Sequence, residues 1–136
     1  MSAKSSQPLH VAVGVILDHQ QQILIALRPH DTHQGGFWEF PGGKVEAGEV
    51  VQQALNRELF EELGLTVRVC SPLIEIRHQY SDKAVFLDVW WVEQFSGEPS
   101  GKEGQPIKWV SADDLSNYPF PEANQEIIVA VQNALC

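Results

Sequence analysis

Between Leu73 and Phe95 the chain reads LIEIRHQY, then SDK, then AVFLDVWWVEQF. Two runs rich in β-branched and aromatic residues around a short polar turn predict a hairpin, and the second run is long and strongly apolar. The hairpin is therefore expected at the centre of a sheet. Trp90 and Trp91 are consecutive in that run, so strand alternation points them to opposite faces and packing is their default role.

The remaining elements fit around it. HVAVGVIL (His10 to Leu17) and QILIALR (Gln22 to Arg28), joined by a polar DHQQ turn, read as a strand pair. Pro29 to Gly36 is a loop by composition, FWEF (Phe37 to Phe40) is a short strand, and PGG is expected to break it. A helix is expected from about Glu49 to Leu63, stopped by Gly64. PIKWV reads as a further strand, Ser111 as the cap of a helical turn, and Glu122 to Leu135 as a helix. Strands and helices mixed in this order predict an α/β layered domain.

Length and charge narrow the partners. A chain of 136 residues suits one core, so residues 9–136 are expected to form a single domain behind a flexible tail at 1–8. A formal charge of −9 opposes tracking of a phosphate backbone, which excludes polymeric nucleic acid as the expected partner. Cys70 and Cys136 are far apart and show no Cys-x-x-Cys spacing, which suits a reducing compartment. The start MSAKSSQPLH lacks a secretory apolar core, and no run reaches the ~18 apolar residues of a membrane span. The expected location is the cytoplasm, with no membrane partner.

The charge is concentrated at Gly42 to Leu65, GGKVEAGEVVQQALNRELFEELGL. On a helix, Glu58, Glu61 and Glu62 stand at i, i+3 and i+4 and share a face, and Val51, Ala54 and Leu55 continue that face backwards. A stripe that starts apolar and ends acidic brings like charges towards a cleft, whereas a plainly solvated helix would be polar along its length. Such crowding is costly unless a cation neutralises it. Oxygen-only donors favour Mg2+ or Mn2+ over Zn2+, and Mg2+ held by few carboxylates commonly meets substrate phosphates. The loop glycines also have a simple structural reading, as permissive residues at a tight turn.

Gly43, five residues, Glu49, seven residues, then Arg57-Glu58-Leu59-Phe60-Glu61-Glu62-Leu63-Gly64-Leu65 resembles the Nudix box, G-x5-E-x7-R-E-U-x-E-E-x-G-U with U apolar, at every fixed position. The resemblance implies a Nudix-type α/β/α sandwich with a mixed β-sheet and divalent-metal hydrolysis of a nucleoside diphosphate linked to another group. It implies Glu61, Glu62 and the Gly42 carbonyl as metal ligands, Glu58 as ligand or general base, and Arg57 with Glu49 as an orienting ion pair.

AVGVIL, EFPGGK, GEPSGKEGQPIKWV and FPEANQEII extend the resemblance over nearly the whole chain to the MutT group, the 8-oxo-dGTP diphosphatases. On that match Glu103 resembles a loop carboxylate that joins the metal site or serves as base. Asn124 resembles the residue that reads the base, since an amide offers donor and acceptor together. Arg28 and Phe40 resemble pocket positions for nucleotide contact and base packing. The implied reaction is hydrolysis of 8-oxo-dGTP to the monophosphate and pyrophosphate, by a monomer acting on a small nucleotide. HQGGFWEFPGGKVE, with Trp38 before Glu39, also resembles the cytidine-nucleotide and broader dNTP branches. His30 and His33 have His-x-x-His spacing but lack further zinc ligands. A nucleotide sensor without turnover and an acidic protein-interaction module are the readings from other classes; the complete set of box glutamates opposes the first.

Overall fold

The computed structural model describes residues 7–28 and 35–135. His30, His33, Cys136 and most of the expected tail lie outside the described residues. In chain order the elements are β1 (Leu9–Ile16), β2 (Ile23–Leu27), β3 (Trp38–Glu39), β4 (Gly42–Lys44), α1 (Val51–Leu63), β5 (Thr66–Gln79), β6 (Ala84–Ser96), β7 (Ile107–Val110) and α2 (Gln125–Leu135). Short 3-10 turns at Asp113–Asn117 and Glu122–Asn124 precede α2.

The first sheet runs β4-β1-β6-β5 and the second β3-β2-β7. In the first, β1 is parallel to β6 and antiparallel to β4, and β5 is antiparallel to β6, so the sheet is mixed. Alternation along the strands builds two cores. Val13 and Val15 of β1 and Val85, Leu87 and Val89 of β6 face Ile127, Ile128 and Val131 of α2. Ala12, Ile16 and Val92 face Leu55, Leu59 and Leu63 of α1. Helices thus cover opposite faces, as an α/β/α sandwich requires. The adjacent tryptophans divide in the same way, Trp91 packing with the α2 core and Trp90 with the α1 core.

Three sequence expectations change and one is extended. β1 and β2 do not form a hairpin: they share only the bridge Leu17 to Ile23, and β2 enters the second sheet. Both edges of β1 are already taken by β4 and β6, and the connecting turn is fixed separately, with Asp18 Oδ1 accepting from the Gln20 and Gln22 amides at 2.9 and 2.8 Å. The long hairpin is only half central. β6 is internal, but β5 begins at Thr66 and lies at the sheet edge, where Pro72, which has no N–H, and several register shifts are tolerated. PGG does end β3, at Glu39, and the chain then changes sheets, with Gly42–Lys44 forming β4 on β1. Gly42 and Gly43 do not serve left-handed turn angles; neither has positive φ. Glycine is needed there for close approach. A Cβ on Gly42 would overlap the Ala12 carbonyl, and one on Gly43 would overlap the Glu58 carboxylate.

The expected helix begins at Val51, leaving Glu49 in the loop before it, and ends at Gly64 with φ 76°. The Gly64 and Leu65 amides return to the Phe60 and Leu59 carbonyls at 2.9 and 3.3 Å, which closes the final turn. Ser111 Oγ accepts from the Asp114 amide at 3.3 Å and caps the 3-10 turn.

Candidate active site

Arg57 ties the glycine loop to α1. Its Nε and Nη2 donate to the two oxygens of Glu49 at 2.7 and 2.9 Å, its Nη1 to Glu58 Oε2 at 2.9 Å, and its Nη2 also to the Lys44 carbonyl at 3.0 Å. The two-point pairing with Arg57, helped by the Glu46 amide, holds the Glu49 carboxyl down at about 2. The same contacts raise Arg57, so the guanidinium stays charged. A planar fork can meet all these acceptors at once; an ammonium cannot.

Two of the helix carboxylates, Glu58 and Glu62, meet, and Glu61 turns away from them. Glu58 is largely buried behind Gly43, and Glu62 is half-buried beside it, whereas the Glu61 side chain is 55% exposed and approaches Arg57 at 3.6 Å. The Glu62 carboxyl is pushed up to about 9, first by burial, then by its hydrogen bond with Glu58 and the charges of Glu58, Glu39 and Glu103. Glu39, from β3, is also raised by burial, an effect partly offset by Arg28, whose Nη1 donates to Glu39 Oε1 at 2.8 Å. The electrostatic centre is therefore Glu39, Glu58, Glu62 and Glu103, drawn from a strand, a helix and a loop. Glu39 was missed in the sequence. Its signal was a lone acid between aromatics in FWEF, expensive to bury unless it has a purpose.

On the other side of β4 lies a cavity of about 270 Å³ whose lining includes Arg28, Phe40, Gly42, Gly43 and Asn124, together with Glu39 at the end towards the carboxylates. Phe40 is buried and stacks on Phe120 at 5.1 Å between centroids, so its ring forms a rigid wall. Tyr80 and Lys83, from the β5–β6 turn, also line this cavity and were not singled out in the sequence. The Tyr80 hydroxyl accepts from the Ala123 amide at 3.1 Å and so steadies the residue next to Asn124. Trp38 is not in the lining; it packs edge-on against Tyr118 at 5.6 Å. Glu49, Arg57, Glu61, Glu62 and Glu103 are outside the lining, on the α1 side of the glycines.

The NUDIX domain profile matches residues 12–130. The chain belongs to the Nudix family. It is 41% identical to an 8-oxo-dGTP diphosphatase of Escherichia coli K12 over 124 residues, covering 91% of this chain and 96% of that protein. It is 36% identical to a CTP pyrophosphohydrolase of the same organism, covering 87% of each. A solved structure from work on MutT of Aliivibrio salmonicida and Vibrio cholerae superposes with a TM-score of 0.83 at 42% identity, covering 95% of this chain and all of that one. The mixed α/β fold of this chain matches that MutT Nudix structure.

Nudix hydrolases depend on divalent metals, and the donors here suit one. The converging groups are carboxylate oxygens, partly removed from water, and burial together with the neighbouring acids favours the protonated form of Glu62, a cost that a bound cation would offset. Among the described residues, no three Asp, Glu, His or Cys side chains stand in a ready-made ligand cage. What the fold supplies is a set of mutually repelling acids around Gly43. Also among the described residues, no helix is long and apolar enough to cross a membrane.

Proposed function

We propose that this Nudix hydrolase converts 8-oxo-dGTP to 8-oxo-dGMP and pyrophosphate, and so prevents replication errors by clearing a miscoding precursor from the nucleotide pool. The observation that carries the reading is the continuity of two compartments across β4: a cavity bounded by Phe40, Arg28 and Asn124, and a carboxylate cluster directly behind Gly43. A nucleoside fits the first and a triphosphate chain leads to the second. The names of the diphosphatase relatives support the same substrate.

In this reading Glu58, Glu61, Glu62, Glu103 and the Gly42 carbonyl hold Mg2+, with Mn2+ as a substitute. The cation supplies charge neutralisation on the phosphates and a more acidic water. Asn124 presents donor and acceptor to the purine edge, Phe40 packs against the base, and Arg28 contacts the nucleotide while keeping Glu39 charged-paired. Water attacks the β-phosphorus, the bond from that phosphorus to the α–β bridging oxygen breaks, and that oxygen leaves on the monophosphate. A proton from the water passes to Glu58 or Glu103, the two carboxylates with that role open to them. Arg57 and Glu49 hold the loop and helix in register. Residues 9–136 act as one domain and a monomer, in the cytoplasm, on a small nucleotide.

Trp38 carried the resemblance to the cytidine branch, and its packing on Tyr118 outside the cavity favours the purine reading. The test is kcat/KM for 8-oxo-dGTP, dGTP and CTP with Mg2+, followed by pyrophosphate release. A strong preference for the oxidised nucleotide is expected; a flat profile or a preference for CTP overturns the substrate while leaving the Nudix chemistry.

A further inference from the structure

The segment that carries Glu103 is strapped to the end of α1. Helix termini leave carbonyls without intrahelical partners, and here the loop supplies donors for them. The Ser100 amide donates to the Leu63 carbonyl at 3.1 Å, the Lys102 amide to the Glu62 carbonyl at 2.9 Å, and Gln105 Nε2 to that same Glu62 carbonyl at 3.1 Å. Beyond the strap, the Pro106 carbonyl accepts from the Leu27 amide at 3.0 Å and fixes the exit into β7.

Within the strap, the Gly104 amide returns to the Gly101 carbonyl at 2.9 Å, which makes Glu103 the third residue of a four-residue turn. A Cβ on Gly101 would overlap the Gln105 carbonyl, and Gly104 has φ 84°, so close approach at one end and a left-handed backbone angle at the other both favour glycine. The turn's own hydrogen bond does not use the Glu103 amide. Gln105 Oε1 takes it, at 2.9 Å.

We infer that Gln105 is a positioning residue that sets Glu103 against Glu62. One side-chain amide links the backbones of two acids that converge from different elements, accepting from Glu103 and donating to Glu62. The pairing fixes which way the amide lies, because a carbonyl only accepts and an N–H only donates. A carboxylate at position 105 fails at the Glu62 carbonyl, a thioether fails at both ends, and the shorter asparagine cannot span them. Glu103 itself is exposed, and the residues beside it in the turn are too, so packing contributes little to its position. Its contribution to the charge around Glu39 and Glu62 depends on this strap.

The inference rests on the metal-site role of Glu103 proposed above, and its test has readouts independent of substrate identity. Gln105→Met and Gln105→Asn are compared with Glu103→Gln and with the Gln105→Met/Glu103→Gln double variant. Mn2+ binding to the nucleotide-free protein is read by the loss of the free-ion EPR signal, and turnover is read with the best nucleotide of the wild type. Both position-105 variants should weaken Mn2+ binding severalfold and lower kcat about tenfold or more with KM changed less than threefold, a size expected when support behind a ligand is removed. In the Glu103→Gln background, Gln105→Met should add less than a twofold further loss. Thermal unfolding and amide spectra establish that each variant is folded; if Gln105→Met does not fold, the asparagine variant carries the test. Mn2+ affinity and kcat within twofold of wild type, or losses that simply multiply with those of Glu103→Gln, overturn the inference. A wild type that turns over no nucleotide defeats the proposed function instead, and the Mn2+ comparison still decides the role of Gln105.

Discussion

Two neighbouring glycines should separate chemistry from folding. Gly42 and Gly43 both lie in β4 at ordinary φ, where an alanine would normally be neutral or stabilise by about 0.4–1 kcal/mol through the unfolded chain. At Gly43 the added methyl overlaps the Glu58 carboxylate. A relaxed contact needs ~3.5–4.0 Å, so the carboxylate must retreat by more than about 1 Å. The retreat also disturbs its 2.9 Å bond to Arg57 Nη1. A displacement of that size in a reacting group costs on the order of 100-fold in rate. The obstacle is a side chain that can move, so the melting temperature of Gly43→Ala should stay within about 3 °C of wild type. At Gly42 the obstacle is the Ala12 carbonyl in the interior of β1, with the Val13 Cα 2.9 Å from the added atom. Backbone held on both edges cannot move aside, and overpacking of this kind costs about 1–3 kcal/mol. At about 3–5 °C per kcal/mol for a chain this size, Gly42→Ala should melt roughly 3–15 °C lower. Scanning calorimetry and pyrophosphate release at saturating substrate measure the two effects. If Gly43→Ala keeps wild-type kcat, the position of Glu58 does not matter to the reaction; if it melts as low as Gly42→Ala, the glycine serves the fold.

Arg57→Lys loses the fork that meets Glu49, Glu58 and Lys44 together, and kcat should fall ~10- to 100-fold in the pyrophosphate assay. Because Glu49 is depressed from 4.5 to about 2, its stabilising pairing is fully present above pH 4.5 and fades as pH falls towards 2; Glu49→Gln should remove that part of the melting-temperature profile, and an unchanged acid profile would refute the pairing. Glu62 runs the other way. With no metal added, between pH 4.5 and about 9 the unfolded chain ionises at this position while the folded chain keeps its proton, so stability should decline as pH rises through that window, and Glu62→Gln should flatten the decline while reducing turnover by orders of magnitude. Divalent-metal addition at pH 7 should release about one proton from Glu62, detectable in a weakly buffered titration; no release would mean that Glu62 is already ionised. Asn124→Ala should reduce the preference for 8-oxo-dGTP over dGTP by ~5- to 150-fold, the worth of about 1–3 kcal/mol of lost pairing, and an unchanged ratio would remove Asn124 as the reader.

The parts legible in the sequence were those whose geometry is local. Helical spacing alone joins Ala54 and Leu55 to the side of Glu58, and Gly64 marks the end of α1 without knowledge of the rest of the chain. Spacing did not distinguish Glu61 from Glu62, because one residue of rotation, about 100°, separates a group facing Arg57 from one facing Glu39 and Glu103. Alternation in HVAVGVIL identified a strand with two faces but not its neighbours, and the partners that displaced β2 come from Gly42–Lys44 and Ala84–Ser96. Gly42 and Gly43 were legible as necessary and misread in kind, since the same residue serves a turn and a close approach. Glu39, Tyr80 and Lys83 carry no spacing signal that links them to one another; β3 and the β5–β6 turn deliver them. This division bears on what the Nudix box is by itself. Cut from the chain, Val51 to Leu63 would be an acidic helix with an apolar stripe, and only Glu58, one turn back, would remain to raise Glu62. Burial in the folded chain raises that carboxyl most, Glu58 adds to it from the same helix, and acids carried by β3 and the Gln105 strap add the rest, so Glu62 reaches its raised state only after those elements have assembled around it.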